Sequence, residues 1–132
     1  MLKENARKYL VGEKHNCAET VLLAANEAYH LGLGEDDVLL IKGFGGGMGC
    51  GSVCGGLTGA VAVLSKMFLP GKTKDEAHKI TGDFVALFER QFGNTLCSDL
   101  KPVYQKPEVR CLDLVEQVCA ALEAYIGELD RK

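Results

Sequence analysis

The sequence predicts an all-α protein, a compact bundle of five to six helices with a glycine-rich loop, on three observations. Apolar residues recur at helical spacing through most of the chain. Two Asx/Thr-x-x-Glu patterns stand where helices would begin, at Asn16–Glu19 and Thr73–Glu76. No segment alternates apolar and polar residues as a half-buried strand would.

The elements follow in order. A short amphipathic segment from Glu4 to Val11 carries Ala6, Tyr9 and Leu10. Asn16 caps a second helix, on which Ala18, Val21, Leu22, Ala25 and Tyr29 repeat until Gly32 and Gly34 stop the pattern. Asp36 and Asp37 open a third through Val38 to Ile41, which runs into a glycine cluster between Gly43 and Gly51. From about Ser52 the period returns with Val53, Leu57, Ala60, Val61, Leu64 and Phe68. The turn at Leu69-Pro70-Gly71-Lys72 leads to Thr73, and Ile80, Phe84, Leu87 and Phe88 follow at i, i+4, i+7 and i+8. Residues 93–107 contain two prolines and no period, which predicts a long loop of the kind that is often functional in a small protein. The last helix is expected from Pro107, with Leu112, Val115, Cys119, Leu122 and Ile126 on one stripe.

The 132 residues fit one domain, 1–132, with no repeat and no linker. With 47% hydrophobic and 25% charged residues the composition is that of a globular protein. The net charge is −3 and the 15 basic residues are scattered, so no stripe points to nucleic acid. The first residues, Met1 to Asn5, lack the apolar run of a signal peptide, and no apolar stretch is long enough for membrane insertion. The expected location is cytoplasmic. There, six cysteines point to catalysis or metal binding rather than to structural disulfides.

Cys17 follows the Asn16 cap, and Cys54 falls at the start of the helix after the glycine cluster. A helix N-terminus stabilises an anion through its unpaired N–H groups and its dipole. A thiolate there is expected to have a lowered pKa. Cys97 falls in the long loop and Cys111 in the first turns of the last helix. Cys50 and Cys54 are four apart, which is not the Cys-x-x-Cys of thioredoxins or zinc knuckles.

The glycines do not match nucleotide templates. No stretch satisfies G-x-G-x-x-G, and Gly71-Lys72-Thr73 would need an earlier glycine where Lys66 stands. Gly51, Gly55 and Gly59, spaced by four, instead allow close approach of another helix, within the chain or from a second subunit of a homodimer. The upstream glycines let the backbone wrap near the Cys54 sulfur and offer it N–H donors, which makes Gly47, Gly49 and Gly55 candidate binding residues.

Together these residues resemble the C_GCAxxG_C_C family of redox-active proteins over nearly the whole chain. The first family cysteine matches Cys17, within Asn16-Cys17-Ala18-Glu19. The central motif matches Cys54-Gly55-Gly56-Leu57-Thr58-Gly59, preceded by Gly45-Gly46-Gly47-Met48-Gly49. The remaining two match Cys97 and Cys111. Gly56 replaces the motif alanine, and Cys50 and Cys119 are additional. The resemblance implies a redox role with an unidentified partner and no substrate.

Two functions are consistent with this pattern. In thiol–disulfide chemistry or electron transfer, Cys54 attacks as a low-pKa thiolate, Cys17 resolves, and Cys97 and Cys111 form a second pair or relay. In the alternative, the same four cysteines bind metal, either a [2Fe–2S] cluster or zinc. Their spacings of 37, 43 and 14 residues are unlike a zinc ribbon or a common ferredoxin. His30 and His78 are expected to face solvent, and His15, two residues from Cys17, is the one placed to touch that sulfur.

Overall fold

A computed structural model describes residues 1–131. It contains seven α-helices: α1 Leu2–Arg7, α2 Cys17–Tyr29, α3 Glu35–Leu39, α4 Gly55–Phe68, α5 Lys74–Phe92, α6 Cys97–Tyr104 and α7 Leu112–Asp130. No strand occurs among the described residues. Two isolated antiparallel bridges, Val53 with Leu96 and Lys106 with Arg110, are the nearest approach to one.

Both capping boxes form. Asn16 Oδ1 accepts from the Glu19 amide at 2.9 Å, and the Glu19 carboxylate accepts from the Asn16 amide at 3.0 Å. Thr73 and Glu76 reproduce the arrangement at the start of α5. The second helix stops earlier than Gly32, because His30 takes the left-handed cap at φ 54°.

Asn16 also ties the helix start to the glycine segment, its Nδ2 donating to the Lys42 carbonyl at 2.9 Å. Replacing it by alanine removes the cap and this tie together. Asn16→Ala should therefore lower stability by about 1–2 kcal/mol. Thermal unfolding reads this directly, and an unchanged midpoint would show that neither contact contributes.

The core gathers one face from each long helix. Val21 and Ala25 of α2, Leu57 and Leu64 of α4, Phe84 and Phe88 of α5, and Val115, Val118 and Leu122 of α7 are all buried. The N-terminal segment closes it with Leu2, Ala6 and Leu10. Helices α2 and α4 pack closest. A Cβ built at Gly59 would lie 2.7 Å from the Ala18 carbonyl oxygen, and one at Gly55 3.2 Å from the Ala18 nitrogen. The two glycines let the backbones approach within the chain.

Two expectations need correction. Residues 93–107 are not a structureless loop, since α6 lies within them and raises the helix count to seven. Pro102 stands inside that helix, and its ring hides the pattern. The last helix begins at Leu112, not near Pro107. Residues 106–110 form a closed turn instead, with Lys106 and Arg110 exchanging backbone hydrogen bonds at 2.8 and 2.7 Å. Arg110 adopts a left-handed φ of 57°.

Candidate functional site

All four matched cysteines stand at helix starts. Cys17 is the first residue of α2 and Cys97 of α6, while Cys54 and Cys111 are the residues just before α4 and α7. Cys97, which the sequence assigned to a loop, and Cys111, which it placed in the first turns of the last helix, thus share the position of the other two. All four line one cavity of about 100 Å³, with Leu10, Leu100 and Leu114 as its apolar wall and Asn16, Lys101, Gln105 and Arg110 as its polar residues.

Local contacts explain how the starts converge. The Val53–Leu96 bridge aligns the two strand-like pieces before α4 and α6. Within it the Cys54 amide donates to the Thr95 carbonyl and the Cys97 amide to the Ser52 carbonyl, both at 2.7 Å. Gly55 brings α4 against α2, since a Cβ there would lie 3.4 Å from Cys17 Cβ. Arg110 joins the remaining pair. Its Nη1 donates to the Leu10 and His15 carbonyls, each at 3.0 Å. The residue before Cys111 therefore holds the chain that leads into Cys17.

The thiols differ in charge state. The Cys17 S–H donates to the Cys111 sulfur, which pulls the Cys111 thiol down to about 7 against the opposing effect of burial; Lys101 and Arg110 lower it further. Cys17 is pushed up by the same hydrogen bond and by burial. Of the two, Cys111 is therefore the one that ionises first. Cys54 is also raised, opposite in direction to the lowered value expected at a helix start. It is 3% exposed, and burial outweighs the N–H groups of Leu57 and Gly56 that point at its sulfur. Burial likewise raises Cys97. A helix start lowers a thiol's pKa only while water or another partner still solvates the anion.

The glycines separate. Gly55 and Gly46 line the cavity. Gly47 packs beneath Cys97, with a built Cβ 2.7 Å from Cys97 Cβ and 2.5 Å from the Ser52 amide nitrogen. Gly49 has open space around it. The amides that reach Cys54 come from downstream, at Gly56 and Leu57, and not from the upstream run. A Cβ at Gly56 would make ordinary contacts, 3.5 Å to Val118 and 3.6 Å to Cys54 Sγ, so the motif alanine fits there.

Cys50 and Cys119 lie outside the cavity. Cys50 is exposed, with its S–H toward the Gly47 carbonyl at 3.6 Å. Cys119 is buried in α7, and burial raises its thiol to about 12. His15 turns to carboxylates, 3.3 Å from Glu13 and 3.7 Å from Glu19, rather than to Cys17. His30 and His78 are exposed. Lys101, Gln105 and Arg110 carried no motif signal in the sequence. Only the adjacency of Arg110 to Cys111 would have drawn attention to any of them.

Among the described residues, no group of three or more His, Cys, Asp or Glu side chains is arranged to hold a metal ion. None of the described helices is long and apolar enough to cross a membrane.

The family model described as "Putative redox-active protein (C_GCAxxG_C_C)" matches residues 15–125. An uncharacterized protein of Archaeoglobus fulgidus is 29% identical over 138 residues, covering 91% of this chain and 88% of the relative. No solved structure matches the chain.

Proposed function

The chain belongs to the C_GCAxxG_C_C family of redox-active proteins, and from that premise we propose that it carries out thiol–disulfide exchange through Cys111 and Cys17. The observation that carries this reading is the meeting of all four thiols in one cavity, where the Cys17 thiol as donor lowers Cys111 to about 7.

The Cys111 thiolate attacks one sulfur of a substrate disulfide. The S–S bond breaks, its electron pair leaves with the departing thiolate, and a mixed disulfide forms on Cys111. Cys17, its proton passed to the leaving sulfur, then attacks the Cys111 sulfur. The second substrate thiolate departs and takes a proton from water. The protein loses two electrons and the one Cys17 proton in forming a Cys17–Cys111 disulfide, and the substrate disulfide gains the two electrons, that proton and one from water to become two thiols. The reverse sequence oxidises a dithiol. Cys54 and Cys97 complete the wall and supply a second thiol pair.

The test is oxidation of the fully reduced chain by 2-hydroxyethyl disulfide without oxygen. The expected product has lost about 2 Da, the mass of two hydrogens, and peptide mapping finds Cys17 joined to Cys111. Cys17→Ala should instead accumulate a mixed disulfide on Cys111. A cross-link that leaves Cys111 out would overturn the assignment. So would stoichiometric iron or zinc retained by the purified protein.

A further inference from the structure

The polar residues around the cavity have one sign. Lys101 and Arg110 contribute two cations, Asn16 and Gln105 contribute amides, and no carboxylate lines it. This occurs on a chain whose net charge is −3. Neither cation is neutralised locally. Lys101 is in none of the ion pairs among the described residues, and Arg110 spends its Nη1 on two backbone carbonyls rather than on an acid. The positive ends of four helices, none shorter than eight residues, face the same space. Buried Cys54 also faces it, and its S–H donates to no oxygen or nitrogen among the described residues. At about 100 Å³ the cavity admits the end of a small molecule, not a folded surface.

We propose that the cavity selects small disulfides and thiols bearing an anionic group, which Lys101 and Arg110 receive while the substrate sulfur meets Cys111. The proposal rests on the exchange reading above for its chemistry, and the bonds formed and broken are those already described. It adds the class of substrate. Two solvent-screened ion pairs with a carboxylate at a protein surface favour the anion by about tenfold over a neutral analogue, and disfavour a cation by a similar factor. Salt weakens both effects.

The experiment follows oxidation of the reduced chain by three disulfides of similar size: 3,3′-dithiodipropionate, which is anionic, 2-hydroxyethyl disulfide, which is neutral, and cystamine, which is cationic. Each rate is divided by that of the same disulfide with free mercaptoethanol, which removes leaving-group differences. A second arm compares iodoacetate with iodoacetamide at Cys111, and involves no disulfide. The expected result is a corrected preference of about tenfold for the anion over the neutral reagent in both arms. It should shrink toward unity in roughly 1 M salt, fall to roughly threefold in Lys101→Gln, which leaves Arg110 alone, and vanish in Lys101→Glu, where the new carboxylate offsets Arg110. Equal corrected rates for the three disulfides overturn the proposal and leave thiol exchange standing. Failure of all three to oxidise the chain overturns both.

Discussion

At pH 7, Cys111 should react with iodoacetamide at least about a hundred times faster than Cys119. With its thiol pulled down to about 7, Cys111 is close to half ionised, whereas Cys119, pushed up to about 12, holds about one thiolate in 10⁵. A less basic thiolate is a weaker nucleophile, and a Brønsted slope of roughly 0.4–0.5 returns about half of that advantage on a logarithmic scale. More than two decades remain, and the burial of Cys119 widens the gap. The Cys111 rate should climb as pH rises through about 7 and level off above it. Cys17→Ala removes the donor that holds the charge, so the climb should move toward the roughly 8.5 of a free thiol. Mass mapping after timed alkylation measures each site. Equal rates, or a Cys111 profile centred near 9, would refute the assignment of the charge.

The signs of these shifts also set the response of stability to pH. The depressed Cys111 value contributes stability that is present above the unfolded-state pKa and lost as pH falls through about 7. The raised Cys119 value acts oppositely. Its contribution is complete below the unfolded-state pKa and is lost as pH rises toward about 12.

Gly59→Ala should cost about 2–3 kcal/mol. A mid-helix alanine ordinarily gains about 1 kcal/mol over glycine. Here the new methyl would stand 2.7 Å from the Ala18 carbonyl oxygen and 3.1 Å from Ala18 Cα, which are backbone atoms that cannot swing aside. Helix α2 must move as a whole, and overpacking against backbone places the cost at about 3–4 kcal/mol, at or just above the top of the usual range. The midpoint of thermal unfolding should fall by roughly 6–10 °C. Because Ala18 adjoins Cys17, the displacement should also raise the Cys111 pKa by loosening its hydrogen bond. Gly82 on α5 is the control: it is exposed and has nothing within 4 Å of a built Cβ, so Gly82→Ala should stabilise by about 0.5–1 kcal/mol. If the two substitutions shift the midpoint alike, the close approach of α2 and α4 is not what Gly59 provides.

These cases show where sequence reasoning succeeds. Asn16–Glu19 and Thr73–Glu76 are legible because a capping box is complete within four residues. Gly59 is legible as a close approach because its partner helix needs only to be smooth. Pro102 misleads because proline is read as a breaker, yet α6 continues past it to Tyr104. Arg110 is invisible, since nothing in its composition announces a left-handed turn or a guanidinium reaching chain some 100 residues away. The helix-start position of Cys54 could be inferred, but its burial could not, and burial reversed the sign of its shift.

The hydrogen bond between Cys17 and Cys111 joins two points 94 residues apart in the chain. In the unfolded chain those sulfurs would rarely meet, and tying them removes loop entropy of about 4–5 kcal/mol at room temperature. Redox state and folding are therefore thermodynamically linked. Under the proposed exchange, a Cys17–Cys111 disulfide would stabilise the folded chain by that loop entropy. Only the contacts between α2 and α7 that differ between the dithiol and the disulfide would shift the midpoint potential of the pair.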